Sequence, residues 1–364
     1  MVPDTLPPAA ADAAVAIVTY NSRGYIRRCL EAVLQQQDVS LDVIVVDNAS
    51  EDGTAEVLRE FEGRIRVIWN ARNLGFAEAQ NQAICSSTAA WVLTLNPDAL
   101  LEPGFLRTLI DAGESDPGVG AVCGKLLSIG PGFEPLAQRR IDSAGMYFTP
   151  AMRHFDRGSR QPDISGFQKM EYVFGASAAA ALFRRKMIED VAIDGAFFDP
   201  DFFAYREDAD VAWRALLMGW RCIYVPAAVG YHVRTVVPGN RHAVPAAINM
   251  HSVKNRFLMR IKNTTPDLYR RYWLSMTLRD LLVVGGTMFW EPTSLPAFWH
   301  VLRCLPRALR QRRAIMARRR MSDAELAPWF SFYPTAQPVG QVERAAVAIP
   351  LSAMAREGRG AFAD

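Results

Sequence analysis

The stretch Trp91-Val-Leu-Thr-Leu-Asn-Pro-Asp98 decides the fold that the sequence predicts. Its first five residues are mostly apolar, too few for a helix and closed by an Asn-Pro turn, which predicts a short buried strand. Asp98 stands just beyond this strand, with Asn96 two residues before it. Ligands of open α/β sheets bind beyond the carboxyl ends of the strands, so Asp98 is a candidate ligand for a divalent cation. A helix cap or a polar turn explains an isolated Asp equally well.

Strands and helices alternate before this stretch. Apolar, β-branched runs predict strands at 15–19, 41–46 and 65–69, and apolar residues at helical spacing predict helices at 25–36 and 76–84. This alternation predicts an α/β fold, with a mainly parallel, Rossmann-like sheet and flanking helices. No GxGxxG sequence follows the first strand and no P-loop sequence occurs in the chain. A dehydrogenase or a P-loop nucleotide site is therefore not indicated.

Polar residues follow each predicted strand of this half. They are Thr19, Tyr20 and Asn21 after the first strand, Asp47 after the second, Arg72 and Asn73 after the third, and Asp98 after the fourth. Polarity at a single loop is ordinary. Four consecutive strand ends of this kind favour a crevice that binds a nucleotide.

A second informative stretch, 197–214, is rich in aromatic residues and places Glu207, Asp208 and Asp210 at the start of a predicted helix. The helix dipole stabilises carboxylates there without any function. Carboxylates beside an apolar wall are also suited to general-base chemistry. Asp208 and Asp210 lie about 200° apart around a helix of 3.6 residues per turn, so both cannot face one crevice. The partly apolar side of Asp208 favours it as the base, whereas Asp210 shares its side with Arg214.

The composition limits the class of protein. Half of the 364 residues are hydrophobic and the net charge is +3, which is ordinary for a globular protein and too small to indicate nucleic-acid binding. Five scattered cysteines without a CxxC pair argue against a disulfide framework or a zinc site and indicate a reducing compartment. Residues 1–12 are predicted to be a disordered leader rather than a secretory signal. No uninterrupted apolar run of about 18 residues predicts a membrane span.

The remaining segments carry weaker patterns. Residues 128–166 have no periodicity and are predicted to be an irregular, partly mobile excursion. The region 236–334 is predicted to be helical, and its arginines between Arg303 and Arg320 alternate with apolar residues. Such a segment favours an amphipathic element on anionic lipid, while a solvated helical face packed on the first domain is the alternative. The tail 335–364 carries no recognisable pattern.

Five motifs resemble those of family 2 glycosyltransferases, in the same order, and most of all those of the bacterial rhamnosyltransferase-like branch. They are Ala16-Ile-Val-Thr-Tyr-Asn21, Val45-Val-Asp-Asn-Ala-Ser50, Asn73-Leu-Gly-Phe76, Leu95-Asn-Pro-Asp98 and Phe202-Phe-Ala-Tyr-Arg-Glu-Asp208. The resemblance covers about residues 13–235 and implies a GT-A fold. It also implies inverting transfer of a sugar, with rhamnose as the suggested sugar, from a nucleotide-diphosphate donor. The implied acceptor is a glycan or a polyprenyl-linked glycan in cell-surface polysaccharide assembly, at the cytoplasmic face of the membrane.

The resemblance further implies roles for the strand-end residues. Thr19, Tyr20 and Asp47 match positions that hold the nucleoside, and Arg72 lies in the loop beside it. Asn21 and Asn73 complete the predicted donor crevice.

The resemblance also implies a metal site and a base. Asn96 and Asp98 fall where the DxD motif of the family binds Mg²⁺ or Mn²⁺, and Asn96 replaces the first of its two carboxylates. His232 matches a position that reaches the metal in some relatives. Asp208 matches the catalytic base, and Arg214 either orients Asp210 or contacts the donor phosphate.

Two rival functions are compatible with the same pattern. A sugar-1-phosphate nucleotidyltransferase uses a related fold but needs a Gly-rich basic loop after the first strand, for which residues 20–24 are a poor substitute. The second alternative is a catalytically inactive, membrane-associated scaffold, because Asn96 replaces the first carboxylate of the DxD motif.

Overall fold

The first half of the chain follows the predicted alternation. A computed structural model describes residues 11–163, 165–234 and 246–339. The elements up to residue 128 are β1 (Ala13–Thr19), α1 (Ile26–Leu34), β2 (Leu41–Asp47), α2 (Thr54–Arg59), β3 (Arg66–Trp69), α3 (Phe76–Cys85), β4 (Trp91–Leu95), β5 (Ala99–Leu101), α4 (Phe105–Glu114) and β6 (Val119–Ser128). All seven residues of β1 are buried, as expected for an apolar strand inside a sheet covered by helices.

The segment 128–166 is more regular than the sequence predicts. It contains β7 (Ile141–Ser143), β8 (Met146–Phe148) and β9 (His154–Asp156), and it buries Ile141, Met146 and Phe148. The prediction of an irregular excursion is therefore wrong for this part, because strands of three residues are too short to show a period. The chain continues through β10 (Glu171–Val173), β11 (Ala180–Arg184), α5 (Arg185–Val191), α6 (Glu207–Leu217) and β12 (Arg221–His232).

Three long helices form most of the C-terminal region. The elements are α7 (Ala246–Asn263), α8 (Pro266–Phe289), α9 (Pro296–Arg318), α10 (Asp323–Leu326) and β13 (Gln337–Pro338). β13 pairs with β10, so at least part of the predicted tail joins the sheet. Residues 1–10 of the predicted leader and 340–364 of the tail lie outside the described residues.

The sheet is mixed and brings several strand ends to one edge. Its order is β13-β10-β12-β6-β11-β4-β1-β2-β3, with β5 paired to β12 and β7 to β6. The strands β4, β1, β2 and β3 run parallel, and the antiparallel β11 joins them to β6. In the register, Thr19 lies opposite Asp47 and Leu95 lies opposite Ala180. The ends of β1, β2 and β4 and the start of β11 therefore meet at the same edge.

Most arginines that the sequence assigns to a lipid-facing segment bind other parts of the protein. Arg318 donates to the carbonyl oxygens of Asp190 and Ala192 at 2.9 Å, and Arg320 lies 2.9 Å from the Asp190 carboxylate. Arg312 donates to the carbonyl oxygen of Ile261 at 2.9 Å. The lipid-facing prediction is wrong for these three arginines, because Arg318 and Arg320 bind residues of the first domain and Arg312 joins α9 to α7.

Another surface of the C-terminal region is exposed and apolar. Leu274, Leu278, Leu281, Leu282 and Phe289 recur at helical spacing along one side of α8, and each is more than half exposed. Trp290 and Trp299, between α8 and α9 and at the start of α9, are also mostly exposed. Among the described residues, no helix is both long enough and apolar enough to cross a bilayer.

Candidate active site

The ends of β1 and β2 are joined by a compact set of hydrogen bonds. The Thr19 hydroxyl donates to Asp47 Oδ1 at 2.9 Å, and both residues are buried. Asp47 also accepts from the Ser50 hydroxyl at 2.6 Å and from the Ser50 amide at 3.0 Å. Neighbouring parallel strands thus place a fixed carboxylate at the predicted nucleoside position.

The other predicted donor residues divide into two groups. Tyr20 is 52% exposed and Arg72 is exposed, so both side chains can reach a bound ligand. The Asn21 side chain accepts from the Glu51 amide at 2.8 Å, and that of Asn73 accepts from the Gly75 amide at 2.8 Å. Both asparagines hold the loops in which they lie.

Asp98 and His232 come together beyond the carboxyl end of β4, at the same edge of the sheet. β5 pairs with β12 so that Ala99 lies opposite His232, which brings the preceding Asp98 beside the imidazole. Asp98 Oδ1 is 3.2 Å from His232 Nε2, and Asn96 Nδ2 is 3.3 Å from the same nitrogen. The long sequence separation between residues 98 and 232 is closed by sheet pairing.

A second layer of charged groups fixes the imidazole. His232 Nδ1 lies 2.8 Å from Asp142 Oδ2, and Arg234 bridges Asp142 at 2.7 Å and Asp156 at 2.6 Å. Asp142, Asp156 and Arg234 were not predicted from the sequence. No local pattern marks the two carboxylates, because each lies in a three-residue strand of the segment predicted to be irregular.

The pKa of His232 reflects these contacts. Burial alone lowers the pKa of the imidazole, but the hydrogen bonds and charges of Asp142 and Asp98 outweigh burial and raise the pKa to about 10. Without a metal the ring is therefore a cation held between two carboxylates.

The donor set around Asp98 fits a divalent cation only in part. A carboxylate and an imidazole Nε2 whose other ring nitrogen is held by a carboxylate form a common arrangement in metal sites. The described residues contain no group of three or more His, Cys, Asp or Glu side chains placed to hold a metal. Remaining ligands would have to come from the Asn96 side chain, water or a bound substrate.

Asp208 contacts the short segment, residues 178–179, that precedes β11. The Ala178 amide donates to Asp208 Oδ2 at 3.3 Å, while the Ala179 carbonyl oxygen accepts from the Asn96 amide at 3.0 Å. Two consecutive residues therefore contact the base candidate and the turn that carries Asp98. The small residues around them also serve packing, since a Cβ on Gly175 would lie 2.2 Å from Ala212 Cβ.

The carboxylates that begin α6 have perturbed acidities. Burial, followed by the charge of Asp156, raises the pKa of Asp208 to about 6. Burial and the charge of Asp208 raise the pKa of Glu207 to about 8. Two neighbouring carboxylates, of which Glu207 is buried and Asp208 partly exposed, therefore resist being ionised together, and Asp208 ionises first.

Asp210 has a structural environment. It is fully buried and lies 3.0 Å from Arg214 Nε, 3.0 Å from Lys262 Nζ and 2.8 Å from Asn263 Nδ2. Arg214 is 1% exposed and also donates to the carbonyl oxygens of Val191 and Phe197. The assignment of Arg214 to donor binding is wrong, because the guanidinium is enclosed in the core; it orients Asp210 instead.

The loop before Asp208 is strained and clamped from α7. Phe203, Tyr205 and Arg206 have φ values of 64°, 70° and 71°, a region that residues other than glycine rarely adopt. Asn255 Nδ2 donates to the carbonyl oxygens of residues 202, 204 and 205 at 2.7–2.9 Å. Asn255, a residue of the C-terminal region, thus holds the strained loop that precedes Asp208.

The mixed, mostly parallel sheet with flanking helices is the fold of glycosyltransferases of the GT-A class. Residues 14–192 match the family model "Glycosyl transferase family 2", and this part of the chain is a domain of that family. It is 27% identical, over 237 residues, to N-acetylglucosaminyl-diphospho-decaprenol L-rhamnosyltransferase of Mycobacterium tuberculosis. That alignment covers 60% of this chain and 75% of the relative. The resemblance to the rhamnosyltransferase-like branch and the prediction of a glycosyltransferase are confirmed.

Solved structures share the fold. GalNAc-T7 with UDP, GalNAc and Mn²⁺ superposes with a TM-score of 0.54 at 13% identity, covering 70% of this chain and 48% of its own. TarS of S. aureus superposes with a TM-score of 0.52 at 16% identity, covering 84% and 53%. The predicted GT-A fold with a helical C-terminal extension is confirmed.

Proposed function

We propose that this chain is an inverting glycosyltransferase that moves a sugar, with rhamnose first among the candidates, from a nucleotide-diphosphate donor to a glycan or polyprenyl-linked acceptor. The observation that carries the proposal is the position of residues 178–179, which contact Asp208 on one side and the Asn96 turn on the other. A base and a diphosphate-binding turn on the two sides of one short segment suit a single in-line displacement. The similarity to an L-rhamnosyltransferase whose name gives N-acetylglucosaminyl-diphospho-decaprenol as its acceptor supports the choice of sugar and acceptor.

Each residue has a specific task in this reaction. Tyr20, Asp47 and Arg72 hold the nucleotide, with Thr19 orienting the Asp47 carboxylate through their 2.9 Å hydrogen bond. Asp208 accepts the proton of the acceptor hydroxyl as that oxygen attacks the anomeric carbon from the face opposite the leaving diphosphate. Inversion at the anomeric carbon follows from a single attack.

Asp98 and His232 would hold a divalent cation, Mg²⁺ or Mn²⁺, together with oxygens of the donor diphosphate. Such a cation stabilises the negative charge that develops on the leaving group. The Mn²⁺ in the GalNAc-T7 structure supports this part of the proposal. Because the protein supplies few ligands, we expect the cation to bind tightly only together with the donor.

The experiment is a donor panel with product identification. The purified protein is incubated with nucleotide sugars, nucleotide-activated rhamnose among them, and with a polyprenyl-diphosphate-linked N-acetylglucosamine acceptor. Release of nucleoside diphosphate and an inverted anomeric configuration by NMR support the proposal. Release of pyrophosphate instead would identify a nucleotidyltransferase, and no release with any donor would favour the inactive scaffold.

We infer further that the enzyme works as a peripheral protein on an anionic membrane surface, at the inner face of the cytoplasmic membrane. The exposed apolar side of α8 and the exposed Trp290 and Trp299 support this inference. Arg303, Arg310 and Arg313 are exposed and form no ion pair among the described residues, so they remain available to lipid phosphates.

A further inference from the structure

Several arginines line the side of α7 that approaches the base. Ser252, Arg256 and Arg260 are spaced by four residues and therefore lie on one side of the helix. Arg206, two residues before Asp208, donates from Nε to the Ser252 carbonyl oxygen at 3.0 Å. We call residues 202–206, which precede Asp208, the base loop. This side of α7 thus leads from the base loop toward α8.

Among the described residues, the carboxylate of Asp280 forms ion pairs with two of these arginines. Asp280 Oδ1, on α8, lies 3.5 Å from Arg256 Nη2 and pairs with Arg260 Nη1. The Nε atoms of Arg256, Arg260 and Arg279 are buried and have no hydrogen-bond partner in the described part of the chain. Arg256 is only 2% exposed. The group therefore has more guanidinium donors than acceptors.

The excess of positive charge has a physical cost. Burial, followed by the charges of Arg206 and Arg260, lowers the pKa of Arg256 to about 9, and the charge of Arg279 acts in the same direction. Buried charges are stable when they are paired, and guanidinium groups match phosphate oxygens in both geometry and charge. An anion with several oxygens would satisfy the free donors.

We propose that Arg256, Arg260 and Arg279 bind the phosphate or diphosphate group of the acceptor while its sugar hydroxyl faces Asp208. The inference rests on the proposed function and assigns its acceptor-binding residues. From Ser252 to Arg260 the helix rises about 12 Å, which leaves room for a sugar residue between the base loop and the anionic group. The exposed Leu278, Leu281 and Leu282 flank Arg279 on α8, where the lipid of the acceptor can continue.

The kinetic test compares two acceptors that carry the same sugar. One is a short-chain prenyl diphosphate glycoside and the other an uncharged alkyl glycoside. Arg279→Gln and Arg260→Gln should raise the KM for the charged acceptor about tenfold or more, since a charge-assisted hydrogen bond is lost. The KM for the donor and the use of the uncharged acceptor should stay within a few-fold. Arg270→Gln, at an exposed arginine of α8, is the matched control.

A binding test does not depend on transfer. Calorimetry with a short-chain prenyl diphosphate, in the presence of a chelator that disables the donor metal site, should show binding to the parent and weaker binding to both variants. Arg256→Lys, which keeps the charge at the buried position, should retain most of the binding. If binding depends on the arginines while no sugar is transferred, the anion site stands and the proposed function fails.

Three results would overturn the assignment. The first is equal behaviour of Arg279→Gln and the Arg270→Gln control, and the second is an equal loss with charged and uncharged acceptors. The third is a loss of binding to anionic phospholipid vesicles with unchanged binding of prenyl diphosphate, which would assign the arginines to lipid headgroups.

Discussion

At the scale of single residues, Asp208 is distinguished from its neighbours by its contacts. Asp210 is enclosed by Arg214, Lys262 and Asn263, and burial keeps Glu207 protonated to a higher pH than Asp208. Asp208 is the carboxylate of the three that is both ionisable near neutrality and partly exposed. This is the combination that a general base requires.

Asp208→Asn should lower kcat by about 10²- to 10⁴-fold, because a positioned general base contributes that factor. The donor KM should change by no more than a few-fold, since the amide keeps the shape of the side chain. Steady-state kinetics of the variant check both values. Retained turnover in Asp208→Asn, with a loss in Glu207→Gln, would move the base one residue along the chain.

We expect kcat to fall as the pH is lowered through about 6, which gives the pH profile an acidic limb. Burial and the charge of Asp156 raise the pKa of Asp208, and only the deprotonated form accepts a proton, so kcat rises with pH through about 6. Asp156→Asn removes one negative charge and should shift the limb to lower pH. A pH profile of kcat for both proteins measures the shift, and an unchanged limb would contradict the electrostatic link.

Sequence reasoning reached some site residues and not others for a physical reason. Asp98, Asp208 and His232 follow or begin elements whose periodicity is visible. Asp142 and Asp156 lie in short strands, and the contacts of Asp142 with His232 and of Asp156 with Arg234 join residues far apart in the chain. Contacts between residues so far apart leave no trace in a local pattern.

At the scale of elements, α6 is held in place by α7. Lys262 Nζ lies 2.6 Å from Asp199 and 3.0 Å from Asp210, so it ties the loop before α6 to the helix itself. The strand and helix bounds of the first half were predicted to within a few residues, because they depend on local apolar periods. The dependence of α6 on α7 was not predicted, since it arises from contacts between residues about 50 positions apart in the chain.

Lys262→Met should destabilise the protein strongly. Removing one partner of a buried ion pair leaves Asp199 and Asp210 without their shared cation, at a cost of about 3–5 kcal/mol. Urea unfolding measures the loss. Lys186→Met, at an exposed lysine, serves as the control, and equal unfolding curves of the two variants would contradict the role of Lys262.

Asn255→Ala should affect the base loop more than the fold. Three carbonyl oxygens lose their common donor, and the left-handed residues 203–206 lose the contact that holds them. We expect kcat to fall about tenfold or more while the donor KM stays unchanged, since misplaced catalytic groups mainly slow the chemical step. Equal kcat values for Asn255→Ala and the parent would show that the loop is held by other contacts.

At the scale of the whole molecule, membrane binding is expected to depend on α8 rather than on the arginines at the end of α9. Leu278, Leu281 and Leu282 are exposed, and each contributes about 1.5–3 kcal/mol if it is buried in lipid. Replacing all three with Gln should abolish co-sedimentation with anionic vesicles.

Arg318→Gln should instead lower the thermal unfolding midpoint, because Arg318 joins α9 to residues 190 and 192.

The same leucine variant separates a lipid surface from a self-association surface. If the parent binds no vesicles and forms dimers that the variant loses, as measured by analytical ultracentrifugation, then α8 is an interface between two copies of the chain.

The bonds from α7 to the base loop and to α6 also restrict how this enzyme can be recombined with its relatives. A chimera that exchanges the C-terminal helices to change acceptor preference would replace Asn255, Lys262 and Asn263 together with the acceptor-facing side of α7. Unless the incoming helix supplies matching partners for Asp199 and Asp210, the graft disrupts the base helix that the donor domain contributes. If Arg256 and Arg260 bind the acceptor as proposed, acceptor preference and the packing of α6 both depend on α7, and we expect a productive crossover point after residue 263 rather than near residue 235.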